Sequence, residues 1–474
     1  LSCSREIVDN DAMKRWLILL TACGKVSTGQ PDAPLVDATS NGDVPTGDTP
    51  GALIGVRSLD TLAGLGLTEG PAGLVVTGAL TAPANLGGDT LVPVGATDMV
   101  VASFKPADAA HLYSYRYGAS GNEFAFLDGT DNQGLPFVYG FSTGAMIDVG
   151  QGPVASDTTM DDGFVGRYGI GAPTWLYRLI GPGRDQFTAT AAGPTGSVYA
   201  AGWFDGSATF NGATLTSNGG RDIVLARFDG FRGTVQLTTT YGGAVRDEPS
   251  SMAFDGTHLI MGGFFAGTLV FGGAASTLTS AGDNDCFVAK LDGDGRGVWA
   301  TRFGAAGDDR IAHVAVDGSG DIYITGVFHD TIAVGSRMLA SVGDFDVFAA
   351  KLRGGDGSVV WARSFGTAAL DLIGEIAADG AGHVLLAVTL GGSLPGASDS
   401  RGGLDALIVS LDAAQGTERW RRLISSPNDD RGGAVIYGAD GAGYALVSLG
   451  GAYDFGMPVI GSDRPASAIL KFVP

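Results

Sequence analysis

The sequence predicts an all-β fold of repeated four-stranded antiparallel sheets. Three observations point there: a seven-residue strand that returns about every sixty residues, a column of acids in the same register, and abundant turn glycine. The strand is clearest as Asp285-Cys286-Phe287-Val288-Ala289-Lys290-Leu291. Other copies start at Asp98, Asp162, Asp222, Asp346, Asp405 and, with the acid lost, Ala466, so successive starts lie 64, 60, 63, 61, 59 and 61 residues apart. Each is apolar at its third and fourth positions and ends on Phe, Tyr or Leu, the pattern of a buried strand. The acidic column is Asp60, Glu123, Asp185, Asp247, Asp309, Asp371 and Asp430, with gaps of 63, 62, 62, 62, 62 and 59. Glycine is 78 of 474 residues with no Gly-X-Y period, which suits tight turns between short strands.

One period holds four strands, a to d. In the clearest copy they are Ile311 to Val316, Ile322 to Gly326, Asp346 to Leu352 and Val359 to Phe365, with Asp-Gly-rich turns between a and b and between c and d. Short connections force antiparallel neighbours. A single such sheet cannot bury both faces, so the sheets must stack, and radial stacking of seven copies predicts a seven-bladed β-propeller with four-stranded blades over residues 51–474. Trp175, Trp299, Trp361 and Trp420 stand on strand d as core anchors. The seventh copy has no strand d of its own. Ala52-Leu53-Ile54-Gly55 resembles the strand-d ending Arg178-Leu179-Ile180-Gly181, so an N-terminal strand is expected to complete the last blade beside Ser467 to Phe472.

Ahead of the repeats, Met13-Lys14-Arg15 precedes the apolar run Trp16 to Leu20 and then Thr21-Ala22-Cys23-Gly24. A basic start, a short apolar run and small residues at the cut describe an export signal, too short to span a bilayer. Residues 1–12 do not fit such a signal, and translation is expected to start at Met13. Leu20-Thr21-Ala22-Cys23 resembles the lipobox of bacterial lipoproteins. That resemblance implies that residues 1–22 are removed and that Cys23 carries diacylglyceryl on sulfur and an acylated amino terminus, such as palmitate. Residues 23–50 read as a flexible linker reaching roughly 30 Å.

Charge and composition remove several classes of function. The formal charge is −21, which repels nucleic acid. Three cysteines, Cys3, Cys23 and Cys286, make no disulfide framework for a chain of this length. The five histidines show no zinc-ligand spacing, and no nucleophile elbow, phosphate loop or dinucleotide fingerprint appears.

The combination of D-x-F-V-A-K-L, then Gly-x-x-x-Trp and Phe-Gly, then D-x-x-x-x-x-A-x-D-x-x-G-x-x-Y-x-x-G resembles the bacterial seven-bladed β-propeller repeat family. It covers about residues 52 to 473 and is closest from Asp285 to Phe365. The resemblance implies a fold and a secreted or lipid-anchored location, and it brings no catalytic residues.

Seven like charges in the acidic column call either for a cation or for hydrogen-bond donors. Their presence in every repeat favours structural carboxylates that accept backbone N–H groups. Asp292-Gly293-Asp294-Gly295 and Asp317 to Asp321 lack the calcium-hand spacing and fit hairpin turns. In the strand-a column His313, Glu375 and Ser251 replace the small or apolar residues Gly64, Leu127, Ala189 and Ala434. The expected function is a non-catalytic binding or scaffolding module for a protein or glycan, monomeric, without cofactor or metal, and anchored by lipid in the bacterial outer membrane. Two alternatives stand beside it: a hydrolase or lyase with His313 as base and Glu375 orienting it, and a calcium-stabilised structural module.

Overall fold

The computed structural model describes residues 50–71, 73–155, 160–393, 403–451, 453–456 and 466–473. The export signal, Cys23 and the linker up to residue 49 lie outside the described residues. The first strands are β1 (Leu53–Ser58), β2 (Ala63–Gly70), β3 (Gly73–Leu80), β4 (Asp98–Phe104) and β5 (His111–Tyr117). Then come β6 (Asn122–Thr130), β7 (Pro136–Thr143), the two-residue ribbon of β8 (Met146–Ile147) and β9 (Val154–Ala155), β10 (Asp162–Tyr168) and β11 (Pro173–Ile180). β12 (Asp185–Ala192), β13 (Ser197–Phe210), β14 (Ala213–Asp229) and β15 (Val235–Tyr241) follow. β16 (Asp247–Phe254), β17 (Leu259–Phe265), the ribbon β18 (Thr268–Leu269) and β19 (Leu278–Thr279), β20 (Asp285–Leu291) and β21 (Gly297–Phe303) come next. The chain continues through β22 (Asp309–Val316), β23 (Ile322–Val334), β24 (Arg337–Leu352) and β25 (Val359–Phe365). Its last strands are β26 (Leu372–Ala378), β27 (His383–Leu390), β28 (Asp405–Asp412), β29 (Glu418–Ile424), β30 (Arg431–Tyr437), β31 (Gly443–Ser448) and β32 (Ser467–Phe472).

Seven separate blades are not what these strands build. Five four-stranded sheets form, β2 to β5, β16-β17-β20-β21, β22 to β25, β26 to β29 and β30-β31-β32-β1, and an eight-stranded sheet takes up the strands from β6 to β15 apart from the β8–β9 ribbon. Among the described residues the fold is an all-β propeller whose separate four-stranded blades number five. The fusion has a local cause. β13 and β14 run past their own sheet into a hairpin closed at Asn211-Gly212, both with positive φ (48° and 76°), the backbone that a two-residue hairpin turn demands. A register shift between Asp205 and Ser207 bends this extension aside. Its Thr209 and Phe210 then pair with Ile180 and Leu179 of β11.

The innermost strands β2, β6, β12, β16, β22, β26 and β30 each pack on the next, and β30 packs on β2. Between neighbours the faces interlock. Ile260 and Val288 of one sheet meet Ile311, Val314, Ile322, Ile324 and Phe348 of the following one in a single buried cluster. Gly326 shows how close the strands lie, since a Cβ there would sit 2.1 Å from the carbonyl oxygen of Arg310. The ends of the chain meet: β1 pairs antiparallel with β32, Val56 opposite Leu470 and Ser58 opposite Ala468.

The fourth-strand tryptophans latch onto a turn further along the chain, which for Trp299 and Trp361 belongs to the next sheet. The indole N–H of Trp175 donates to the Gly230 carbonyl at 2.8 Å, that of Trp299 to Gly354 at 3.3 Å and that of Trp361 to Ala413 at 3.0 Å. Each ring lies against a positive-φ glycine of the same turn, Gly233, Gly357 and Gly416, where a Cβ would strike it. Trp420 has the same relation to Gly51, just ahead of β1. The N-terminal segment thus stands where a turn of the next sheet would.

Candidate functional site

Every innermost strand breaks register near its middle. The shifts fall at Gly64/Gly66, Leu127/Gly129, Phe187/Ala189, Pro249/Ser251, Ile311/His313, Ile373/Ile376 and Gly432/Val435. A bulge leaves a residue out of the ladder and re-aims its side chain. Leu65, Thr188, Ser250 and Ala312, the extra residues of four of these strands, line a central cavity of about 270 Å³. Phe126, Tyr139, Phe141, Phe187 and Phe264 are the aromatic residues of its wall.

The polar sector of that wall is small. His313 Nε2 lies 3.6 Å from Glu375 Oε1, with each side chain about one-fifth exposed (22% and 21%). Burial pushes His313 down to about 4, which leaves its imidazole neutral near neutrality, and pushes Glu375 well above the usual carboxyl range. The His313 Nδ1 atom is buried with no hydrogen-bond partner among the described residues. Asp128 sits close enough to raise Glu375 further, and is itself pushed by burial up to about 7. Asp128 accepts from the Tyr139 hydroxyl at 2.9 Å and from the Thr190 N–H at 2.8 Å.

The sequence column paired His313 and Glu375, and the structure brings these two together. Ser251, the third member, belongs elsewhere: its Oγ accepts the Val314 N–H at 3.1 Å, and Ser250 faces the cavity instead. Ser251 and His313 each follow the bulge of their own strand, so the column found equivalent positions without telling which partners they meet. Asp128 is itself the extra residue of its bulge and Tyr139 stands on β7, so neither belongs to that column. An acid directly after the apolar run Phe124-Ala125-Phe126-Leu127, still within the strand, was the available signal for Asp128.

The acidic column lies at the entry ends of the innermost strands. Six of its members, Glu123, Asp185, Asp247, Asp309, Asp371 and Asp430, are fully buried (0% exposed). Each accepts a backbone N–H: Asp247 from Gly243 at 2.7 Å, Asp309 from Ala305 at 2.9 Å, Asp185 from Asp205 at 3.2 Å, Glu123 from Asp148 at 3.1 Å and Asp371 from Gly391 at 2.9 Å. Asp430 accepts from Gly450 at 3.0 Å. Asp60 differs, with positive φ (54°), and its carboxylate accepts the Asn85 N–H at 2.8 Å. Among the described residues no group of three His, Cys, Asp or Glu is arranged to hold a metal ion. At the same entry face Val94, Val245 and Val342 are exposed, at 63%, 45% and 71%.

A family model described as a beta-propeller repeat matches residues 298–327, the stretch from β21 through β22 into β23. No curated protein matches the sequence. Among solved structures the chain is similar to the Pan2 WD40 domain of Neurospora crassa, at 10% identity over 90% of this chain and 97% of that one, with a TM-score of 0.44. It is similar to the Dos1 propeller, at 9% identity over 89% and 94% with a TM-score of 0.42. It also resembles the quinohemoprotein alcohol dehydrogenase ADHIIG of Pseudomonas putida HK5, at 9% identity over 89% and 76% with a TM-score of 0.43.

Proposed function

We propose that this propeller is a non-catalytic binding module, held at a bacterial cell envelope by lipid on Cys23, that engages a protein partner through the entry face of its innermost strands. The observation that carries the reading is the set of exposed valines there, Val94 and Val245 in bends and Val342 on β24. Apolar side chains on a fixed frame lose little freedom on docking, and they repay burial. The lipobox-like segment and the linker of residues 23–50 support an anchored, outward-held domain.

The test uses residues 24–474 against fractionated envelope proteins and a glycan array. The Val94→Asp, Val342→Asp double substitution is expected to weaken capture of a protein partner at least about tenfold while leaving the melting temperature unchanged. Capture that survives it removes this face from the proposal, and glycan binding alone would replace the protein partner.

The His313–Glu375 separation favours a second reading, a hydrolase or lyase at the cavity. A neutral imidazole beside a carboxyl whose affinity for protons is raised pairs a base with an acid within reach of one bridging water. Turnover of a panel of aryl esters and glycosides that Glu375→Gln abolishes would establish it.

A further inference from the structure

The sheets do not contribute alike to the central cavity. Strands β6, β7, β12 and β17 bring its aromatic residues, whereas β22, β26 and β30 bring small ones, among them Ala312, Gly374 and Gly433. Phe126 and Tyr139 lie nearly parallel, with 25° between their planes and ring centres 6.0 Å apart, and so form one wall. None of the residues lining the cavity is exposed. An apolar cavity of roughly 150 Å³ takes a benzene ring. About 270 Å³ therefore leaves room for one ring with a short substituent.

Most polar side chains of the lining are already engaged. The Tyr139 hydroxyl donates to Asp128 at 2.9 Å, the Thr188 hydroxyl to the Pro249 carbonyl at 2.7 Å and the Gln186 amide to Asp161 at 2.9 Å, while Arg310 is ion-paired with Asp308 at 2.5 Å. His313 and Glu375 differ. Their Nε2 and Oε1 atoms, 3.6 Å apart, are too distant for a direct hydrogen bond, and His313 Nδ1 is buried without a partner among the described residues. A bulge puts Glu375 in the wall: Ile373 pairs with Val388 and Ile376 with Leu386, so Gly374 and Glu375 together stand opposite Ala387.

Polar groups left short of partners in an apolar cavity cost stability unless a further group completes them. One oxygen seated against the pair reaches both atoms at ordinary hydrogen-bond length. A hydroxyl suits the place, because it donates and accepts at a single atom.

We propose that the central cavity binds an uncharged one-ring aromatic alcohol, its ring against Phe126 and Tyr139 and its hydroxyl on His313 and Glu375. Burial, which lowers His313 and raises Glu375, agrees with an uncharged head group, since it disfavours ionising either partner. The place is the one the hydrolase reading uses, but binding needs no turnover there, so either can fail without the other.

Titration calorimetry of the 24–474 chain with benzyl alcohol, toluene, benzylamine and benzoate, which share a ring and differ in what it carries, tests it. Benzyl alcohol is expected to bind one to one with a dissociation constant below about 1 mM, and about fivefold more tightly than toluene. A cavity without a partner for the hydroxyl gives the opposite order, because that group must leave water. His313→Leu is expected to produce that opposite order. Ala312→Phe, which fills the cavity from β22, is expected to lose both ligands while still melting cooperatively, and Ala434→Leu fills it from β30 should the first variant not fold. No binding of benzyl alcohol, toluene binding as tightly, a charged compound binding more tightly, or binding unchanged in a filled variant each overturns the proposal. If neither filled variant folds, the order on wild type and on His313→Leu decides it.

Discussion

Removal of residues 50–58 is expected to abolish cooperative folding or to lower the melting temperature by more than about 10 °C, the largest effect of any short deletion in the chain. β1 completes the sheet of β30, β31 and β32, and without it the β32 backbone becomes an open edge. The loss extends beyond those hydrogen bonds. Val56 leaves a buried cluster shared with Leu470 and Phe472, and Gly51 no longer covers Trp420. Arg57, whose guanidinium lies 4.8 Å from the Phe104 ring centre and donates to the Leu86 carbonyl, ties this strand to the first sheet as well. Size-exclusion chromatography should show association through the open edge. A monomer that melts with the full chain would contradict the expectation.

The second large effect is a fall in stability from mildly acidic to mildly alkaline pH. Burial pushes Glu123, Asp185, Asp247 and Asp309 up to about 7 and Asp430 to about 6, against ordinary values near 4. Between about pH 4 and 7 the folded chain therefore binds more protons than the unfolded one, so stability declines as pH rises through that window and levels off above it. The formal charge of −21 acts in the same direction, since self-repulsion grows as carboxyls ionise. Within that window His313, held down to about 4, opposes the trend, because it refuses a proton that the unfolded chain accepts below about 6.5, but it is one group against five carboxyls. Below about pH 4 the sign reverses: Asp255, Asp317 and Asp440, lowered by their hydrogen bonds, lose their contribution as pH falls through their folded values. The melting temperature should peak near about pH 4 and lie roughly 5 °C lower at pH 8. A flat profile from pH 5 to 8, or one that climbs, would count against buried carboxyls of raised affinity for protons.

What could be read in advance follows from what a sequence period records. The Asp285-to-Leu291 strand and its copies carry two buried faces in every sheet, so their apolar runs and their spacing survive in the sequence. The Trp positions on the fourth strands were legible too, though their indole bonds to Gly230, Gly354 and Ala413 depend on turns distant in the sequence and leave no local mark. The number of separate sheets was not legible from copies alone. Strand count and hydrogen-bond connection are different quantities, and the Asn211-Gly212 hairpin joins two groups of strands that the repeat keeps apart. The Asn-Gly pair of that turn is itself a visible hairpin signal in the sequence. The cavity was only half legible. His313 and Glu375 stood out as polar breaks in a column, whereas the bulges that place Thr188 and Ser250 on the wall arise from packing around the axis and have no fixed sequence signature.

Closure of the ring by its two ends is the claim on which the rest stands, and a cross-link across β1 and β32 tests it most directly. Gly55 faces Lys471, and a Cβ built on Gly55 lies 3.5 Å from the Cβ of Lys471, within the span of a disulfide. In residues 24–474 carrying Gly55→Cys and Lys471→Cys, mild oxidation should form an intramolecular bond, leaving a monomer two protons lighter, with higher thermal stability and with buried Cys286 still reduced. Thiols that stay free under the same conditions, or that join only between molecules, would contradict the closed ring.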